Sequence, residues 1–354
     1  MATDPSTTPS DSTTNSSHTA EFARAAREAV AQAAAVCRAV QARLDDLRAI
    51  TKDDKSPVTI ADFASQAVVA HVLRKHLGDG FVLVGEEGSD SLRQPEHQPH
   101  LHAALEAARQ VWPEASEEAF LAAIDLGDAE PTEGHTYWTL DPIDGTKGFL
   151  RGQQYAIALA WLDHGVPTVG AMACPNLPTS HDAPLDAVDP HGSIYLSVAG
   201  EGTLEAPLAD QTADATRIIR QDLGEHEPVS ACMSVEKAHS STDDTARVMT
   251  LVGPSREPAR LDSQCKYAVV ARGQADVYLR LPTKKGYVER IWDHAAGSLV
   301  ATEAGCVVSD VAGMPLDFKH GKGLERNRGI VCAPPNVHER VIRAIEELGL
   351  PGSA

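Results

Sequence analysis

The stretch WTLDPIDGTKGFLRG, Trp138 to Gly152, rules out more architectures than any other part of this chain. An apolar run, TYWTL (Thr136 to Leu140), reads as a strand that stops at Asp141, where Pro142 fixes the backbone and predicts a turn rather than a continuation. FVLVGEEG behaves alike: a short buried strand, Phe81 to Val84, halts at Gly85 and two glutamates. Short strands that end in acids and alternate with helical stretches predict a layered α/β arrangement.

The helical stretches are legible. Glu21 to about Arg48 is Ala-rich with charges on one side, predicting a long amphipathic helix. Pro57 predicts a break, and a second helix follows from Ala61 to His76. Ser89 to Glu133 reads as helical and polar. QQYAIALAWLDHGVPTVGAMACP reads as two strands joined by the turn Asp163-His164-Gly165. Between Asn176 and Val229 only Ser193 to Val198 has strand character. The second half alternates: a helix after His239, a strand-like LVGP, a helix from about Ser263 to Arg272, a strand in ADVYLRLP, a helix after Trp292, and strands near Cys306 and Ile330.

Bulk properties narrow the function. With 31 basic against 50 acidic side chains the formal charge is -19, which excludes a nucleic-acid polymer or an anionic membrane as partner because both require a basic face. No run approaches the roughly 20 apolar residues of a membrane span. The six cysteines lack metal-binding spacing and read as reduced thiols, so a cytoplasmic location is expected. Residues 1–18 are rich in Ser and Thr, without the Lys or Arg of a leader, and are expected to be a disordered tail.

Asp141, Asp144 and the Ile143 carbonyl can converge on one point, and two carboxylates plus a carbonyl suit a hard cation such as Mg²⁺. Read alone, D-P-x-D-G is equally an acidic turn. Glu86 and Glu87 after one strand, Asp54 before SPVT and Asp293 at a helix start add acids in matching contexts, each with a plain reading of its own: a strand-end charge, a loop charge, an N-cap. Gathered together, they would form a two-metal site of the kind that serves phosphoryl chemistry, with Thr146 presenting backbone N–H groups to a phosphate or simply capping a turn. Lys147 and Arg151 read as solvated charges.

With these residues assembled, VGEE (84–87), LDPIDGT (140–146) and WDHAAG (292–297) make the sequence resemble the superfamily of inositol monophosphatase and fructose-1,6-bisphosphatase, Mg²⁺-dependent and lithium-sensitive phosphatases. Longer agreements, KDDKSPVTIAD, LDPIDGTKGFLRG, EKAHSS, LDSQCKYAVVARGQADVYLRLP and IWDHAAG, are similar to the 3'(2'),5'-bisphosphate nucleotidases within it. That resemblance implies an αβαβα sandwich of two packed subdomains, expected at 19–205 and 206–354. It implies two or three Mg²⁺ ions held by Glu86, Asp141, the Ile143 carbonyl, Asp144 and Asp293. Asp54 and Thr146 would orient and deprotonate water. Thr146, His239, Ser263, Lys266, Arg280 and Asp293 would bind a small-molecule nucleotide, adenosine 3',5'-bisphosphate, and 3'-phosphoadenylyl sulfate as a further candidate. A monomer is expected. Gly88 stands where relatives commonly have Ser, and 181–229 matches poorly.

Three rivals stand beside this reading. An inositol polyphosphate 1-phosphatase would share the metals without an adenine pocket, and a non-catalytic sensor would keep the pocket without turnover. Ser263-Gln-Cys-Lys266 also fits the S-x-x-K of acyl-serine enzymes, with TKKG a faint K-T-G, but the S-D-N element is absent.

Overall fold

The computed structural model describes residues 11–45, 56–224, 226–235, 242–282 and 286–350. Helix α1 is Asp11–Gln41, so it starts inside the segment expected to be a tail. Its alanines are small enough to let α2, Ser56–Leu77, approach closely, and Ala25, Ala26, Ala29 and Ala33 are fully buried. Helix α2 includes Pro57 in its first turn, where a missing N–H costs nothing, so the expected break becomes a start. From Ile60 to Ala70 every α2 residue is buried, the polar Asp62, Ser65 and Gln66 included.

Strand β1 is Leu83–Gly85. Helices α3 (Gln98–Ala108) and α4 (Glu117–Asp125) then pack beside α2, and Ser116 caps α4 by accepting the Ala119 N–H at 3.1 Å. Strand β2 is Tyr137–Asp144 and leads into a short helix, α5, Thr146–Leu150. Strands β3 (Ala156–Asp163) and β4 (Val166–Cys174) are joined by His164 and Gly165 at φ 49° and 75°, the two positive values that a tight hairpin turn demands. Strands β5 (Ser193–Val198), β6 (Gly202–Pro207) and β7 (Thr216–Ile218) complete a seven-stranded sheet in sequence order. Within this sheet, among the described residues, only β1 and β2 pair in parallel. Sequence reading missed β6 and β7, and the boundary expected between 205 and 206 falls within β6.

The second sheet comprises β8 (Ala231–Met233), β9 (Ala259–Arg260), β10 (Val277–Arg280), β11 (Val307–Ser309) and β12 (Ile330–Ala333), in the order β11-β12-β10-β8-β9. Helix α6, Thr242–Val252, ends within the LVGP segment expected as a strand: Val252 is buried with Val248 and Met249 on its inner face, while Leu251 faces solvent. Helices α7 (Cys265–Ala271) and α8 (Ala295–Glu303) lie between the sheets, and α9 (Pro335–Glu347), unforeseen from sequence, packs with α6 on the outside. Three apolar cores follow from this stacking: outer helices on the first sheet, α7 and α8 between the sheets, and α6 with α9 on the second sheet. The layers therefore run α, β, α, β, α. Among the described residues no helix is long and apolar enough to cross a membrane.

Candidate metal and phosphate site

Of three polar residues on buried α2, two brace the segments that carry the acids. Gln66 donates from Nε2 to the carbonyls of Glu87 (2.6 Å) and Ile124 (3.0 Å) and accepts the Glu87 N–H at 3.1 Å. A Cβ at Gly85 would lie 2.5 Å from its Oε1, and one at Gly127 2.4 Å from its Nε2, so both neighbours must be glycine. Ser65 donates to the Pro142 carbonyl at 2.9 Å. The third is Asp62, buried beside Glu86 and Glu87.

Strand β2 does not stop at Asp141 as expected. Asp141 pairs with Ala158 and Asp144 with Ala156, so the strand carries an extra residue and bulges at Pro142, a position where proline is tolerated. The bulge, followed by Gly145 at φ 91°, turns Asp141, Ile143, Asp144 and Thr146 toward one cavity of about 450 Å³. Glu86 and Asp293 line the same cavity. Asp293 is no N-cap: His294 holds that place, without a side-chain capping bond.

Gathering these acids has an electrostatic cost. Burial, then Glu86, Asp144 and Asp293, push the Asp141 carboxyl well above the carboxylate range. Asp293 is pushed up to about 7, by burial first and then by Asp144 and Glu86 against the opposing pull of His294 and Arg280. Water reaches Glu86 from the cavity, yet crowding by protein atoms, then Glu87 and Asp144, push it up to about 7. Asp62 rises through burial and through Glu87 and Glu86. Oδ1 of Asp141 is buried without a hydrogen-bond partner. Like charges crowded around an orphaned carboxylate oxygen fit a divalent cation with oxygen ligands, and the residues present are those Mg²⁺ prefers. Glu289, Asp293 and His294 also bring ligand atoms within 4.8 Å of one another, but Glu289 is engaged by Arg280 at 2.8 Å and by His294 at 3.4 Å.

The opposite wall carries cations. Lys266 is buried, with Nζ donating to the Ser263 carbonyl at 2.8 Å and lying 5.0 Å from the Tyr278 ring centre. Burial lowers its pKa, and Asp144 opposes that. Arg280 is held by Glu289 through Nε, and its guanidinium is 5.9 Å from the Tyr287 ring. Burial works against its charge, but Tyr278, Glu289 and Asp293 outweigh it and keep the guanidinium firmly protonated. Ser263 has φ 71°, a left-handed conformation costly for serine, and such strain concentrates at functional sites. Because Lys266 binds the Ser263 carbonyl rather than its hydroxyl, the acyl-serine reading lacks its activating contact. Arg151 is exposed, as expected, and also pairs with Asp262.

The described residues thus bring together Glu86, Asp141, Ile143, Asp144, Thr146, Ser263, Lys266, Arg280 and Asp293. Asp54 and His239 lie outside the described residues. Sequence reading did not single out Asp62, an acid buried within α2. It also missed Tyr278, Tyr287 and Glu289, whose positions depend on strand pairing and loop course.

The chain was compared with known proteins on this basis. Residues 18–350 match the model of the inositol monophosphatase family. A Schizosaccharomyces pombe 3'(2'),5'-bisphosphate nucleotidase is 42% identical over 309 residues, 84% of this chain and 85% of that protein. The Arabidopsis thaliana 3'(2'),5'-bisphosphate nucleotidase 1 is 40% identical over 338 residues, 91% and 95% of the two chains. Among solved structures, Mycobacterium tuberculosis SuhB superposes with a TM-score of 0.59 at 20% identity, covering 95% of this chain and 98% of that one. CysQ from Bacteroides thetaiotaomicron gives 0.55 at 21% identity, covering 88% and 97%. These matches span nearly the whole chain, which belongs to the inositol monophosphatase family.

Proposed function

We propose that the chain hydrolyses the 3'-phosphate of adenosine 3',5'-bisphosphate to AMP and phosphate, with Mg²⁺ as cofactor. The observation that carries this reading is one cavity with four carboxylates, Glu86, Asp141, Asp144 and Asp293, facing Lys266 and Arg280. The relatives above bear the name of that activity.

Glu86, Asp141, the Ile143 carbonyl, Asp144 and Asp293 would hold the cation. When bound, Mg²⁺ supplies Lewis-acid charge at the phosphoryl oxygens and lowers the pKa of water. The Thr146 hydroxyl orients the attacking water, and a neighbouring aspartate receives its proton. That aspartate is Asp54, the acid the resemblance pairs with Thr146, which lies outside the described residues. Water adds to phosphorus as the bond to the 3'-oxygen breaks, and that oxygen takes a proton as it leaves. Lys266 and Arg280 neutralise the 5'-phosphate, Arg280 offering the paired donors that match phosphate geometry. Ser263 and His239 complete the nucleotide contacts. Removal of the same 3'-phosphate from 3'-phosphoadenylyl sulfate uses no further group.

The test is phosphate release from adenosine 3',5'-bisphosphate and from inositol 1,4-bisphosphate, each with Mg²⁺, with EDTA and with added Li⁺. Mg²⁺-dependent turnover that favours the nucleotide and weakens with Li⁺ is expected. Preference for the inositol compound would overturn the substrate, and turnover undiminished in EDTA would overturn the cofactor.

A further inference from the structure

Asp144 and Asp293 are distant in sequence, one at the end of β2, the other in the turn before α8, the helix between the two sheets. Their separation depends on what ties these two segments together. Gln264 contacts both. Its backbone N–H donates to Oδ2 of Asp144 at 2.7 Å. Its side-chain Nε2 donates to the Trp292 carbonyl at 2.9 Å, and its Oε1 accepts the Gly297 N–H at 3.0 Å, so the carboxamide grips the turn on either side of Asp293.

The surroundings are shaped around this contact. Gln264 is 2% exposed. A Cβ on Gly297 would meet Tyr267 at 2.3 Å and Oε1 of Gln264 at 3.0 Å, so only glycine lets the Asp293 turn close on the carboxamide. A Cβ on Gly145, between Asp144 and Thr146, would come within 2.8 Å of the Ser263 Cβ. The strained Ser263 backbone is what turns the Gln264 N–H toward Asp144. Glutamine is also the side chain this place requires. Glutamate could not donate to the Trp292 carbonyl and would add charge to a ring of acids, while leucine would leave a buried carbonyl and a buried N–H unpaired.

We propose that Gln264 is the positioning residue that sets the distance between Asp144 and Asp293, and with it the geometry offered to a divalent cation. The proposal rests on the acid cluster being a Mg²⁺ site. Partners that orient metal ligands are typically worth 10–100-fold in metal affinity.

The experiment is calorimetric titration of Mg²⁺ into metal-free protein without substrate, for the unmodified chain and for Gln264→Leu, with unfolding in EDTA recorded for both. Mg²⁺ binding 10–100-fold weaker in a folded Gln264→Leu is expected. Affinity within about threefold of the unmodified chain would reduce Gln264 to a packing residue and overturn the proposal, since loss of stability alone leaves the affinity of folded molecules unchanged. Absence of Mg²⁺ binding by the unmodified chain would take down the metal reading itself, and the tie with it. A measurement on the unmodified chain covers a variant that fails to fold. Added Mg²⁺ should slow hydrogen exchange in the stretches 263–266 and 292–297 together, and slowing in one alone would count against the tie.

Discussion

Asp293→Asn should stabilise the metal-free protein and destabilise it relative to the unmodified chain when Mg²⁺ is present. The Asp293 carboxyl is partly buried among other acids and is raised from 3.8 to about 7. At about 1.4 kcal/mol per tenfold, that rise corresponds to roughly 4 kcal/mol of penalty on the folded state once the group ionises. Glu86 is less suited to this conversion because water reaches and screens it. The sign follows from linkage: a raised acid pKa leaves folding stability intact below pH 3.8 and removes it as pH climbs through about 7. Urea unfolding followed by tryptophan fluorescence in EDTA should therefore show the variant more stable by up to about 4 kcal/mol at pH 8, shrinking below about 1 kcal/mol at pH 4. With excess Mg²⁺ the unmodified chain gains stability by mass action, and a variant missing one ligand gains less. A variant no more stable than the unmodified chain in EDTA at pH 8 would refute the idea that the acids are held together against their repulsion.

Mg²⁺ affinity should rise with pH through about 7, because Glu86 and Asp293 must lose protons to act as ligands; calorimetry at pH 6 and 8 with flat affinity would contradict it. Asp54→Asn should lower turnover by about 10²-fold or more while leaving Mg²⁺ binding measurable, the pattern of a lost proton acceptor; near-normal phosphate release would return that role to another acid. Gly127→Ala places a methyl 2.4 Å from Nε2 of Gln66; it should cost about 1–3 kcal/mol in unfolding midpoint analysis, and an unchanged midpoint would mean that the Glu87 backbone does not depend on Gln66.

Much of the fold was legible because chemistry and element boundaries coincide. The apolar runs before Gly85 and Asp141 became β1 and β2, and the Asp163-His164-Gly165 hairpin has the backbone its residues demand. The segment 176–229 hid β6 and β7 because an antiparallel strand such as GTLEAP, with buried Thr203 and Glu205 beside exposed Leu204, lacks an apolar signature. LVGP misled because two apolar residues at a helix end look the same as a short strand. Acids at the site were readable from the turns that carry them. The place of Asp54 rests on the resemblance alone, because that residue lies outside the described residues.

The two sheets also differ in the order in which their strands can meet as the chain is made. In the first, each strand pairs with its predecessor, so it can assemble while synthesis continues. The second interleaves β8, β10 and β12 and must wait for residues near the C-terminus. At about 5–20 residues per second, Asp293 emerges on the order of ten seconds after Asp144. A nascent chain therefore presents Glu86, Asp141 and Asp144 to cellular cations before the Asp293 turn, Lys266 or Arg280 exists. Under the proposed function the last acid to arrive closes the site, so cation capture and completion of the second sheet become one late event in the life of the new chain.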